Sequence, residues 1–220
     1  DEVIAADAGA CAIGFIFSFR NNVNEQTFAK ALRARAPDVA VSVSSEVQPE
    51  FREYERLSTT VLNAYLQPVM SRYLETLEAG IAKRAPNASL GINQSNGGLM
   101  SVGRSREFPV RTALSGPAAG AVGAAHAARQ IGRRNIITLD MGGTSADVAL
   151  IRDYKVDLAF DRDVAGFPIR MPCVDVETVG AGGGSVAWFD RDGLLKAGPK
   201  SAGAYPGPAC YGNGGTEPTT

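Results

Sequence analysis

Two acidic residues, Asp140 and Asp147, bracket the string Gly142-Gly143-Thr144-Ser145, and apolar runs flank both sides. Residues of these types suit a polyphosphate held together with a hard cation. The glycines let the chain turn tightly and, having no Cβ, let their N–H groups approach phosphate closely. Thr144 and Ser145 offer hydroxyls to phosphate oxygens or to a metal-bound water. Asp140 is the expected Mg²⁺ site, directly or through water, because a hard cation on phosphates takes carboxylate oxygen. Asp147, the second expected catalytic acid, either orients a metal-bound water or caps the hairpin. An ordinary hairpin turned by Gly-Gly is the competing account of the same residues.

The elements that must position these groups can be read on both sides. Residues 135–139 are β-branched and apolar, which predicts a buried strand delivering Asp140 at its end, and a second apolar strand starts at Asp147. Upstream, residues 115–125 (SGPAAGAVGAA) predict a helix of small residues, with Ser115 suited to the N-cap and Pro117 to the first turn. Each glycine costs such a helix roughly 1 kcal/mol, which close packing of another backbone against the Ala/Gly surface would offset. His126 is the single histidine and falls on this helix, so a histidine-based triad or a multi-histidine metal site cannot be built here. We expect a structural role for it.

The order of small-residue helix, apolar strand, Asp-x-Gly-Gly-Thr, second acid and apolar strand resembles the second phosphate loop of the actin-like ATPases, which include sugar kinases and heat-shock chaperones. Further strings narrow the resemblance: residues 42–54 (SVSSEVQPEFREY), 55–74 (ERLSTTVLNAYLQPVMSRYL), 94–101 (QSNGGLMS), 180–185 (GAGGGS) and 201–217 (SAGAYPGPACYGNGGTE). Together they resemble the hydantoinase/5-oxoprolinase A family across residues 13–220. The resemblance implies an α/β, actin-like (ribonuclease-H-like) ATPase fold, present in part, with a mixed sheet flanked by helices. It implies ATP with Mg²⁺, and a cyclic amide of the hydantoin or 5-oxoproline type activated by phosphoryl transfer to its carbonyl oxygen. Two other activities stay open: activation of a ketone for carboxylation, and a nucleotide-driven conformational module without a phosphoryl acceptor. A hydantoinase B-type partner subunit or domain is implied as well. Family members carry an earlier Asp-x-Gly-Gly-Thr loop and a later Gly-Gly-Ala-Gly-Pro stretch, which these residues lack. The expectation is therefore an internal fragment, inactive alone, with residues 1–45 ending a preceding α/β domain and 46–220 forming an incomplete ATPase domain.

Composition fits a globular chain: 45% hydrophobic and a net charge of −1 at 220 residues allow one good core, or one core plus part of a second domain. No long basic run points to nucleic acid, and no apolar run reaches membrane-spanning length. Cys11, Cys173 and Cys210 form no Cys-x-x-Cys pair, so free thiols and a cytoplasmic location are expected.

Local patterns predict strands at 12–19 and 39–43 around a helix at 24–35, with Asn24 as its cap, and a long helix over 50–84 that Pro68 should kink or break. Its stripe of Leu57, Val61, Leu62, Tyr65, Leu66, Val69, Tyr73, Leu74 and Leu77 is expected to face a core. A short strand at 89–93 should end in Gln94-Ser95-Asn96-Gly97-Gly98. Ligands gather at the carboxyl ends of strands in an α/β sheet, so Ser95, Asn96, Gly97 and Gly98 are candidates to line a substrate cleft, although Asn-Gly is also a turn signal. A strand at 174–179 leads into Gly182, Gly183 and Gly184, a second candidate lining, and a strand comes next rather than a helix. From residue 197 the Gly- and Pro-rich tail predicts an irregular loop.

Overall fold

The computed structural model describes residues 2–220, which form two compact units, Asp1–Ala119 with Leu158–Cys173 and Gly120–Asp157 with Val174–Thr220. The first unit opens with α1 (Glu2–Ala5), β1 (Ala10–Ile13), α2 (Val23–Arg35) and β2 (Ala40–Val43), with β1 and β2 parallel. The strand expected to run to residue 19 stops at Ile13 because Phe17 takes a left-handed φ of 59° and residues 15–21 fold into turns. Helix α2 begins at Val23 after Asn22, earlier than the expected Asn24 cap, and Asn22 makes no side-chain capping bond. Next come α3 (Ser44–Val47), α4 (Glu53–Arg84), β3 (Gly91–Asn93), β4 (Leu99–Ser101), α5 (Val102–Glu107), a 3₁₀ turn (Pro109–Thr112) and α6 (Ser115–Gln130). Residues 2–45 fall in the same compact unit as residues 46–119.

The 32-residue α4 runs through Pro68 without interruption; of the expected stripe Leu74 is fully buried and Leu62 packs against the core, but much of the rest is exposed. The buried face carries Arg56, Thr59, Thr60, Asn63, Ala64 and Gln67, whereas Val61 and Tyr65 are 55% and 75% exposed. Periodicity marks an apolar stripe, but distant polar partners decide which face is inside. Asn63 donates to Ser42 Oγ and Glu107 O, both at 2.9 Å, and Gln67 accepts from Ser42 Oγ at 2.9 Å. Arg56 donates to Ser44 Oγ, Glu50 O and Phe15 O at 2.9–3.1 Å. Ser44 in turn donates to the buried Glu25 carboxylate at 2.6 Å, which also accepts from the Phe15 and Ser45 N–H groups.

Arg56 and Glu25 are thus opposite charges bridged by one hydroxyl and withdrawn from water. Arg56→Met is expected to lose about 3–5 kcal/mol in urea unfolding, since the Glu25 charge would remain buried; a loss below about 1 kcal/mol, the size of an exposed pair, would show that the guanidinium only fills space. Burial pushes the Glu25 carboxyl up, but hydrogen bonds from Ser44, Ser18, Ser45 and the Phe15 N–H outweigh it and hold the group below the ordinary carboxylate value. Its contribution is present above the unfolded-state pKa and is lost as pH falls through the folded-state value. Glu25→Gln should accordingly flatten the acid limb of the stability curve.

After α6 the second unit builds β5 (Ile136–Met141), β6 (Ala146–Arg152), the short β7 (Lys155–Val156) and, later in sequence, β10 (Val176–Val179), in the order β10-β6-β5 with β7 on β6. β8 (Leu158–Val164) and β9 (Phe167–Val174) form a hairpin assigned almost wholly to the first unit. β11 (Ser185–Phe189) pairs with β12 (Leu195–Ser201). The expected single mixed sheet is replaced by several small ones, of which β1–β2 is the parallel pair. Short hairpin connections force antiparallel pairing in β3–β4, β5–β6, β6–β7, β8–β9 and β11–β12, and the helical crossover through α2 permits the parallel β1–β2 pair. The tail is more ordered than predicted: β12 extends to Ser201, and Pro218 and Thr220 return to bond with Ala187 N–H and Ser185 O. No helix among the described residues is long and apolar enough to cross a membrane.

Candidate functional site

Strands β5 and β6 pair in a register that sets Asp140 directly opposite Asp147, and β10 sets Thr178 opposite Asp147 on the other side. The three side chains form one row across the sheet, because residues opposite one another in an antiparallel ladder share a face. Thr178 Oγ1 donates to Asp147 Oδ1 at 2.6 Å, which fixes one carboxylate oxygen. Asp140 is exposed, and its Oδ2 lies 3.8 Å from where a Cβ on Gly120 would stand. A Cβ there would make only an ordinary van der Waals contact, so the glycine does not by itself set this approach. The other small residues of helix α6 serve packing: Ala121, Ala125 and Ala128 are buried, while His126 is exposed with Nε2 3.2 Å from Gln130 Nε2. β5 departs from expectation in lying at the edge of its sheet, with Ile137 and Leu139 exposed; the alternation puts Asp140 on the opposite face from them.

The loop between the acids is clasped by the other glycine loop. Gly183 N–H donates to Gly142 O at 2.9 Å and Gly184 N–H to Gly143 O at 2.7 Å, while Gly142 N–H closes the turn on Ser145 O at 2.9 Å. Gly182 and Gly184 are buried in this contact. A Cβ on Gly182 would lie 2.6 Å from the nitrogens of Thr144 and Ser145, and one on Gly184 would lie 2.8 Å from Gly143 O. By contrast a Cβ on Gly143 would meet nothing within 4 Å. Gly182 and Gly184 are therefore the positions where the two loops' backbones meet closely, and they brace the loop and do not line an open cleft. With the Gly142 and Gly143 carbonyls turned into this clasp, the Gly143 and Thr144 N–H groups make no hydrogen bond among the described residues and sit on an exposed turn.

The donor set fits a phosphate-bound Mg²⁺. Asp140, Asp147, Thr144 and Ser145 offer hard oxygen only, and side-by-side carboxylates favour a cation between them. No group of three or more His, Cys, Asp or Glu side chains suited to a metal occurs among the described residues.

The 94–98 segment is a hairpin turn between β3 and β4, closed by Gln94 N–H to Gly98 O at 2.8 Å, not the end of a strand in a parallel sheet. Ser95 is 1% exposed, donating its hydroxyl to Arg111 O at 2.8 Å and accepting from Leu114 N–H, so it holds backbone in place and is closed to a ligand. Asn96 is exposed, its Oδ1 accepting from Gly98 N–H at 2.9 Å, and Gly97 supplies the left-handed φ of 83° that the turn needs. A Cβ on Gly98 would press on that Asn96 oxygen at 3.1 Å. Sequence reasoning missed Thr178, whose only signal is the register of β10 against β6.

The profile of the hydantoinase/oxoprolinase family matches residues 56–220. The chain belongs to that family. It is 46% identical over 210 residues to caprolactamase subunit alpha of Pseudomonas jessenii, covering 96% of this chain and 30% of the relative. It is 40% identical over 179 residues to 5-oxoprolinase of Saccharomyces cerevisiae, covering 80% and 13%. The crystal structure of the ATP-dependent caprolactamase from Pseudomonas jessenii superposes with a TM-score of 0.86 at 44% identity, over 99% of this chain and 31% of that one. A nucleotide-free acetone carboxylase structure gives 0.75 at 30% identity, over 99% and 31%. This hydantoinase/oxoprolinase chain thus spans about a third or less of the relatives it matches.

Proposed function

We propose that this chain supplies the phosphate-gripping loop of an ATP-dependent enzyme that activates a cyclic amide, within an actin-like ATPase fold. The observation that carries the reading is the turn between Asp140 and Asp147, with opposed carboxylates on one face and unbonded Gly143 and Thr144 N–H groups on an exposed loop. A lactam is a poor electrophile because its nitrogen shares density with the carbonyl. Moving the γ-phosphoryl of ATP onto the carbonyl oxygen breaks the bond to ADP and leaves a carbon that water attacks; the ring C–N bond then breaks to release the amine and leave an acyl phosphate, from which a second water releases phosphate and the carboxylate. Such transfer depends on positioning and charge neutralisation. The Gly143 and Thr144 N–H groups and the Thr144 and Ser145 hydroxyls hold phosphate oxygens. Asp140 and Asp147 hold Mg²⁺, which when bound neutralises phosphate charge. Thr178 keeps Asp147 oriented. A B-type subunit or domain is the proposed partner, in keeping with relatives named as subunits.

The test is ATP turnover by the full-length protein with its partner, against a panel of lactams, hydantoins and ketones with bicarbonate. Phosphate release stimulated by a cyclic amide is expected. Stimulation by ketones alone would replace the reading with a carboxylase-type activation, and turnover indifferent to every substrate would point to a conformational ATPase.

A further inference from the structure

The glycine loop that clasps the phosphate loop is itself a tight turn, Gly182 to Ser185, and one residue closes it twice. Ser185 N–H donates to Gly182 O at 2.8 Å, and Gly182 N–H donates to the Ser185 hydroxyl at 2.9 Å. Both residues are buried, Ser185 at 3% exposure, and the Gly182 N–H has no other partner among the described residues. The two residues in the middle of this turn, Gly183 and Gly184, are the ones whose N–H groups reach Gly142 O and Gly143 O. A run of glycines has wide backbone freedom and holds no single shape of its own. The shape comes from the residue that bonds across them.

Ser185 is anchored on its far side as well. Its carbonyl accepts from Thr220 N–H at 3.1 Å and from the Thr220 hydroxyl at 3.4 Å, and it pairs with Ser201 at one end of the β11–β12 ladder. The serine therefore joins a fixed ladder to a glycine run that needs fixing. We propose that Ser185 is a positioning residue for nucleotide binding: its hydroxyl holds the turn in the shape that aims the Gly183 and Gly184 N–H groups at the Gly142 and Gly143 carbonyls. Those carbonyls then stay turned away from the phosphates, and the Gly143 and Thr144 N–H groups stay free to meet them. The proposal rests on the nucleotide reading above and adds to it a residue that touches neither phosphate nor metal. Without the hydroxyl a buried N–H loses its partner, and the closed turn loses its advantage over open ones. The loop then holds its binding shape for only a fraction of the time, and apparent affinity falls by that fraction.

The test compares Ser185→Ala with Ser201→Ala in the full-length protein. Ser201 faces Ser185 across the ladder, but its hydroxyl accepts from Gly203 N–H at 3.1 Å and makes no bond to the turn. Hydrogen exchange, measured without nucleotide, should quicken about tenfold or more in Ser185→Ala over residues 141–146 and 182–185, the scale of one lost buried hydrogen bond. In Ser201→Ala it should keep the wild-type rate. In ATP turnover Ser185→Ala should raise the KM for ATP about tenfold and leave kcat within about threefold of wild type, because a smaller competent population weakens binding without altering the chemical step. Wild-type exchange in Ser185→Ala, or equal quickening in Ser201→Ala, would overturn the hydroxyl as the holder of the turn. Quickened exchange beside an unchanged KM would overturn its link to nucleotide. A wild-type protein that turns over no ATP would overturn the nucleotide reading and this proposal with it, whereas unchanged exchange beside normal turnover would overturn this proposal alone.

Discussion

Asp140→Asn in the full-length protein is expected to lower ATP turnover by about 100-fold or more, the scale of removing one preorganised electrostatic group, while leaving the fold intact. The amide keeps the shape of the side chain and its place in the β5 ladder. It removes one of two like charges that the register sets face to face, and such a pair disfavours the sheet by roughly 0.2–1 kcal/mol when no cation lies between. Without Mg²⁺ the variant should therefore melt at or slightly above the wild-type temperature. With Mg²⁺ and nucleotide the order reverses, because a ligand that binds only the folded state raises the melting temperature by mass action, and the substituted amide lacks the charge that holds the ion. Two melting curves and a phosphate-release assay read both signs. Turnover at the wild-type rate would remove Asp140 from the metal site.

The site was legible where its residues are neighbours in sequence. Asp140 through Asp147 declare their chemistry in one short string, and the apolar runs beside them declare the hairpin. What stayed hidden depends on partners far along the chain. The α4 stripe of Leu57, Val61 and Tyr65 has helical spacing, but the buried face is chosen by Ser42, Ser44 and Glu107, which offer hydrogen bonds to Arg56, Asn63 and Gln67. Periodicity cannot register those bonds. The bracing role of the second glycine loop was hidden for the same reason. Gly-Gly in a turn suggests that the turn needs both, whereas the Cβ-free contact lies between loops some forty residues apart, at Gly182 and Gly184. β5 reads as buried because its residues are apolar, yet nothing among the described residues covers Ile137 and Leu139.

Gly182→Val breaks the clasp and should be the most damaging single change in the phosphate loop and its brace. Gly182 is buried, and a Cβ there would lie 2.6 Å from two backbone nitrogens and 2.7 Å from Gly142 O, distances that no side chain tolerates and no flexible group can relieve. The loop carrying Gly183 and Gly184 must withdraw, and the hydrogen bonds to the Gly142 and Gly143 carbonyls go with it. Those carbonyls would then be free to rotate toward the phosphates, turning an array of donors into one that repels anions. Nucleotide affinity and turnover should both collapse, accompanied by local destabilisation of about 1–3 kcal/mol from overpacking. Gly143→Val is the control that separates the two loops. A side chain there meets nothing within 4 Å in this structure, so it should leave the melting temperature unchanged and act, if at all, by obstructing the ligand. Nucleotide titration and thermal melts of both variants give the comparison. If Gly182→Val binds nucleotide as the wild type does, the clasp is not what holds the phosphate loop in shape.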